Sequence, residues 1–143
     1  MMMPEHVQHR PSTLAERERL FAEVVAEIDS RLCEPQLELD DVARAVYASR
    51  RQVQRVMEEH DTSFRQYLTR ARMRRAAEML ADQPARPVRD VAHTVGYRQP
   101  AQFAKAFRRV HGQTPAAHRR NGLARAALAL GPEPGAETER LAA

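Results

Sequence analysis

Apolar side chains along this chain recur at three- and four-residue intervals, the spacing of helices with one buried face. The first such stripe is Leu20, Phe21, Val24, Val25, Ile28 and Leu32, and it follows Thr13 and Glu16 at capping-box spacing. It predicts an amphipathic helix ending near Glu34 and Pro35. Leu39, Val42, Ala43 and Val46 mark a short second helix, and after a brief break Ser49 can cap a third that runs to about His60. Two helices joined this tightly predict a helix-turn-helix unit. Ser63 and Gln66 repeat the capping-box spacing at the head of the longest stripe, which carries Phe64, Tyr67, Leu68, Ala71, Ala76, Met79 and Leu80. A helix over residues 63–80 would extend about 27 Å. Two prolines within residues 82–87 break it.

Beyond those prolines the pattern of the first unit returns. Asp41-Val42-Ala43 with Val46 reappears as Asp90-Val91-Ala92 with Val95, and Val53, Arg55 and Met57 reappear as Phe103, Lys105 and Phe107. The second copy is one residue longer at its turn, because Ala43 and Val53 are ten positions apart while Ala92 and Phe103 are eleven. After Phe107, Gly112 suits a helix stop, and Thr114-Pro115 offers a cap and first-turn proline for a last short helix. The expected fold is all-α: two helix-turn-helix units, in homeodomain-like bundles, on a long linking helix. The boundaries are a disordered start at 1–12, a first unit at 13–62, the linking helix at 63–82, a second unit at 83–120 and a flexible tail at 121–143.

Composition removes the sheet alternative, since aromatic residues are 5% and Trp is absent, and β-branched residues form no strand-like runs. Charge says more. The chain carries +4, yet residues 36–120 hold seventeen Lys or Arg against nine Asp or Glu, so a middle of +8 is flanked by acidic ends. That distribution points to a polyanionic partner. Twenty-two of the 23 basic residues are Arg, a bias a GC-rich genome produces, but such a bias does not confine the excess to one segment.

The third helix divides into faces. Val53, Val56 and Met57 form an inward stripe, while Arg51, Gln54, Arg55 and Glu58 recur at i, i+3, i+4 and i+7 on the other side. Arg can grip guanine through two acceptors, and Gln can grip adenine, so the outward face suits the major groove. A solvated surface would show similar spacing; the tight turn and the duplication favour recognition.

The stretches Asp90 to Tyr97, Gln102 to Arg109 and Gly112 to Arg119, with Tyr67-Leu68, Arg72 and the run Arg75-Ala76 to Leu80, resemble the DNA-binding module of the AraC/XylS family. The similarity spans about residues 21–120. It implies two recognition helices on one side of the molecule, entering successive major-groove segments of double-stranded DNA. It also implies base contacts from Arg51, Gln54 and Arg55, a phosphate or base contact from Arg50, and in the second unit contacts from Gln99, Pro100, Ala101 and Lys105. The chain departs from the family at Tyr47 and Asp61, where Gly is usual, and at Pro100-Ala101, which is poorer in polar groups. An activator that contacts RNA polymerase is what the family implies. Most members carry a separate sensing and dimerising domain; no stretch here is long enough for one. A monomer on DNA, without a small-molecule effector and controlled by its amount, is therefore expected.

Other chemistries find little support. His6 and His9 lie in the expected disordered start, and His60, His93, His111 and His118 are scattered singly, which argues against a metal site. His60 and His111 fall near the ends of the two recognition helices, where a donor suits helix carbonyls. Cys33 is the single cysteine, so no intramolecular disulfide forms. The sequence offers no phosphate-cradling glycine loop, nucleophile elbow or catalytic carboxylate pair, and no cofactor site. No signal peptide or membrane span is present, and a cytoplasmic location is expected. The remaining alternative is a helical module that binds another regulator or the polymerase without specific DNA binding.

Overall fold

The computed structural model describes residues 13–130, and every regular element among them is a helix. Local chemistry sets most of the boundaries. Thr13 Oγ1 accepts from the Glu16 amide at 3.1 Å while the Thr13 amide donates to the Glu16 carboxylate at 3.2 Å, and this reciprocal box opens α1 (Leu14–Arg31). α2 (Leu39–Ala45) is next, and then α3 (Arg50–Glu58), opened by the same device between Ser49 and Gln52 at 3.1 and 2.8 Å. Ser63 caps α4 (Phe64–Asp82), which at 1.5 Å per residue is about 28 Å long. α5 (Val88–Thr94), α6 (Pro100–His111) and α7 (Pro115–Leu130) complete the order.

Two cores sit on one shared wall. Leu20, Val24 and Ile28 of α1 close over Val42, Ala43, Val53, Val56 and Met57, with Leu68 from the first half of α4. Met73, Ala76, Met79 and Leu80 from the second half of α4 pack with Val91, Ala92, Val95, Phe103 and Phe107. Burying one large apolar side chain stabilises by about 1.5–3 kcal/mol. Each unit is thus fastened to α4 by several such contributions.

The duplication extends to the backbone. Ala48 N donates to Ala43 O at 3.0 Å, and Tyr97 N donates to Ala92 O at 2.9 Å, so both first helices stop in the same way. The residue before each donor has a positive φ, +57° at Tyr47 and +91° at Gly96. From there to the cap lies one residue in the first unit, Ala48, and two in the second, Tyr97 and Arg98. This is the extra residue read from the sequence. Asp61 (φ +56°) and Gly112 (φ +76°) turn the chain after α3 and α6. At Tyr47 and Asp61 the usual turn geometry is kept, carried by a residue other than glycine.

One expectation is corrected. Helix α7, which contacts α4, does not end near Arg120 but continues through residues 121–130. Ala and Leu dominate that stretch, and their high helix propensity extends the helix where apolar periodicity is weak. The expected start at 1–12 and the rest of the expected tail, 131–143, lie outside the described residues.

Candidate nucleic-acid interface

On α3, Val53, Val56 and Met57 are buried, whereas Arg51, Gln54, Arg55 and Glu58 are exposed. The side chains of Arg51, Gln54 and Arg55 make no hydrogen bond or ion pair among the described residues, so their donors are free for a partner. Arg50 is held differently. Its Nε lies 3.3 Å from Asp40 Oδ1, and a second nitrogen lies 3.4 Å from Oδ2. Both side chains are exposed, and such pairs are worth at most about 1 kcal/mol. A phosphate can therefore displace Asp40 at little cost.

In α6 the inward residues are Phe103 and Phe107, and Gln99, Pro100, Ala101, Gln102 and Lys105 are exposed. Gln99 is the N-cap, yet its side chain makes no capping bond. The structure adds Arg108 and Arg109, which are exposed three and four residues beyond Lys105. Helical spacing from Lys105 was the signal for them. With Phe103 in the place of Val53, Arg108 occupies the place of Glu58, and Ala104 that of Gln54. The second outward face is thus more cationic and less varied in hydrogen-bonding groups.

Between α4 and α6 lies an open cleft of about 840 Å³ whose lining includes Arg65, Arg70, Arg74 and Arg109, with Tyr97 and His111, and no carboxylate. The sequence assigned α4 only a spacing role, although Arg70 and Arg74 stand at i, i+4 on one face. Four guanidinium groups without an acidic neighbour make this cleft electropositive.

His60, His111 and His118 serve structure. His60 Nδ1 lies 2.9 Å from Val56 O, as expected for a residue at the end of the first recognition helix. Its Nε2 lies 3.2 Å from Glu18, and its ring stacks on Phe21 with centroids 3.6 Å apart. The Val56 carbonyl, and then Glu18, raise its pKa. His111 instead reaches across to α4, with Nε2 3.1 Å from Met73 O. His118 packs at the edge of Phe107, and burial pushes its pKa down. No group of His, Cys, Asp and Glu suited to a metal ion occurs among the described residues. None of their helices is long and apolar enough to cross a membrane.

Two solvent-facing recognition helices, each preceded by a tight turn and each backed by its own core, define a double helix-turn-helix domain. Residues 42–121 match the family model described as a helix-turn-helix domain, and the chain belongs to that family, in its AraC-type form. Over 80 residues it is 34% identical to the HTH-type transcriptional regulator GlxA of Rhizobium meliloti (strain 1021), covering 55% of this chain and 24% of that protein. The chain thus spans about a quarter of this curated relative. It is similar to a solved AraC-type DNA-binding domain-containing regulator from Chromobacterium violaceum, with 26% identity, 76% of this chain and 96% of that one covered, and a TM-score of 0.70. It is also similar to the DNA-binding domain of AdpA, a global transcriptional factor solved in complex with a target DNA: 33% identity, 73% and 94% covered, TM-score 0.65.

Proposed function

We propose that this chain is a sequence-specific transcriptional regulator that reads two successive major-groove segments of double-stranded DNA with α3 and α6. The observation that carries the reading is the pair of outward faces on the two units that α4 joins, one with Arg51, Gln54 and Arg55 unengaged, the other with Lys105, Arg108 and Arg109. Major-groove faces recur about 34 Å apart, and a linking helix of about 28 Å holds two readers near that spacing. Arg51 and Arg55 suit guanine and Gln54 suits adenine, while Gln99, Ala101 and Lys105 contact the second segment. Arg50, released from Asp40, takes a phosphate. The cleft arginines carry the backbone between the two segments. The chain acts as a monomer on its site, and contact with RNA polymerase makes it an activator.

Selection from a random-sequence duplex library should enrich a bipartite motif, with one half altered by Arg51→Ala and the other by Lys105→Ala. With roughly six to ten phosphate contacts, the logarithm of affinity should fall against the logarithm of salt with a slope magnitude of about 5 to 9. Absence of any enriched motif, with affinity indifferent to salt, would favour the alternative of a protein-binding module.

A further inference from the structure

Arg72 stands at the middle of α4, where the wall of the first core gives way to that of the second, between Leu68 and Met73. It is the one buried charged side chain among the described residues, at 9% exposure. The groups that meet it come from both units. Its Nε donates to Leu32 O at 2.7 Å and a terminal nitrogen donates to Glu34 O at 2.6 Å. Leu32 is the C-cap of α1, so these carbonyls lie at the negative end of that helix, where Glu34 O also accepts from Leu37 N at 3.3 Å. On the opposite side the guanidinium lies against the turn of the second unit. A Cβ at Gly96 would fall 3.0 Å from its Cζ, and the Tyr97 ring centroid is 5.7 Å away. No carboxylate among the described residues is within ion-pair distance of it.

We infer that Arg72 is a positioning residue that locks the two helix-turn-helix units in one relative orientation and thereby sets the half-site spacing this chain accepts. The fork spans the seam: two parallel bonds fix the end of α1, and the plane of the same group seats the α5–α6 turn from which the second recognition helix starts. Gly96 then has two reasons to be glycine, its positive φ and the tight contact of 3.0 Å that a Cβ would make with the guanidinium, which could be relieved only by shifting the Arg72 fork. Burial lowers the Arg72 pKa, but the guanidinium stays charged near neutral pH, so its hold does not depend on ordinary pH changes. Two readers held on one rigid body act as a preorganised bivalent ligand. The gain from that arrangement appears only on sites whose spacing matches.

This inference rests on both recognition helices reading one duplex. Duplexes selected by the wild-type chain supply the probes: the full site, each half with the other half scrambled, and the full site with one base pair inserted or removed between halves. Arg72→Met keeps length and bulk but loses the fork. It should bind the full site about tenfold more weakly or worse, keep each half-site within about twofold of wild type, and discriminate less between spacings. Arg72→Lys retains the charge and at most part of the bonding, and should fall between the two. If thermal unfolding shows that Arg72→Met does not fold, Arg72→Lys decides the question with the same probes. A parallel loss on full and half sites, or an unchanged spacing preference in the folded variant, overturns the assignment. A wild-type chain that selects only a single-half motif overturns this inference and the bipartite reading together; a bipartite motif with unaffected variants overturns the role of Arg72 alone.

Discussion

Tyr47 holds a φ of +57° with its side chain 90% exposed, so it bears the penalty of the left-handed region without packing that would offset it. That penalty is about 1–2 kcal/mol, against about 0.5–1 kcal/mol that a glycine adds to the entropy lost on folding. Tyr47→Gly should therefore raise stability by up to about 1 kcal/mol, read as a higher urea midpoint at unchanged slope. Asp61→Gly should gain less, because a short polar side chain tolerates the same region better. A lower midpoint for Tyr47→Gly would mean that the ring makes contacts worth more than its backbone strain. The histidines oppose one another in their pH dependence. For His60 the folded pKa is raised, so its contribution is complete below the ordinary value of 6.5 and is lost as pH climbs through the raised one. For His118 burial, then His111 and Arg125, lower the pKa, so protonation weakens the fold as pH falls. Relative to wild type, His60→Gln should lose most at about pH 5 and least at about pH 8, while His118→Gln should gain at the acid end. Urea midpoints at the two pH values check both signs, and identical trends for the two variants would contradict the assignment.

At the scale of elements, α3 and α6 start differently. Ser49 and Gln52 close a full capping box before α3, but Gln99 leaves the first turn of α6 uncapped by any side chain. Gln is a poor cap, and its exposed amide is proposed to face DNA instead. Gln99→Ser should thus stabilise the chain by about 0.5–1 kcal/mol and at the same time weaken the second half-site contact. Unfolding and binding measured on the same sample separate the two effects, and a variant no more stable than wild type would show that the α6 terminus is satisfied by other means. Most elements were legible because their apolar residues recur at helical spacing, and the capping residues Thr13, Ser49 and Ser63 each lie within a few positions of the stripe they open. Val53, Val56 and Met57 face inward as their spacing predicts, as do Phe103 and Phe107. The continuation of α7 past Arg120 was hidden because Leu123 and Leu128 are exposed and give no buried stripe to trace. Arg72 reaches back about forty positions to Leu32 and Glu34, and the cleft joins α4 to α6; neither pairing leaves a local pattern in sequence.

For the molecule as a whole, two units of one repeated pattern on a shared helix are chemically unequal, and the inequality predicts how specificity is divided. The first outward face offers Arg51, Gln54, Arg55 and Glu58, which can all form directional bonds with base edges. The second offers Ala101, Lys105, Arg108 and Arg109, with Gln99 at its start and Ala104 where Gln54 stands in the first. Arg108 and Arg109 stand in the last turn of α6, away from the N-terminal turns that meet base edges, so phosphate, which carries no sequence information, is their natural partner. The compact charge of Lys105 lacks the planar fork of arginine. One good bidentate base contact is worth about 1–3 kcal/mol of discrimination. Arg51→Ala or Arg55→Ala should accordingly relax selectivity within one half-site, whereas Lys105→Ala and Arg109→Ala should weaken binding to all sequences more evenly and reduce the salt slope by about one each. Ala101 and Pro100 can still pack on thymine methyls, and local DNA shape adds preference without hydrogen bonds, so the second half should be weakly selective rather than blank. A scan of every base pair in the selected site, scored as information content per half, measures the division directly. Equal or greater selectivity in the half read by α6 would show that side-chain inventory misjudges readout here, and that DNA deformation carries the specificity of the second unit.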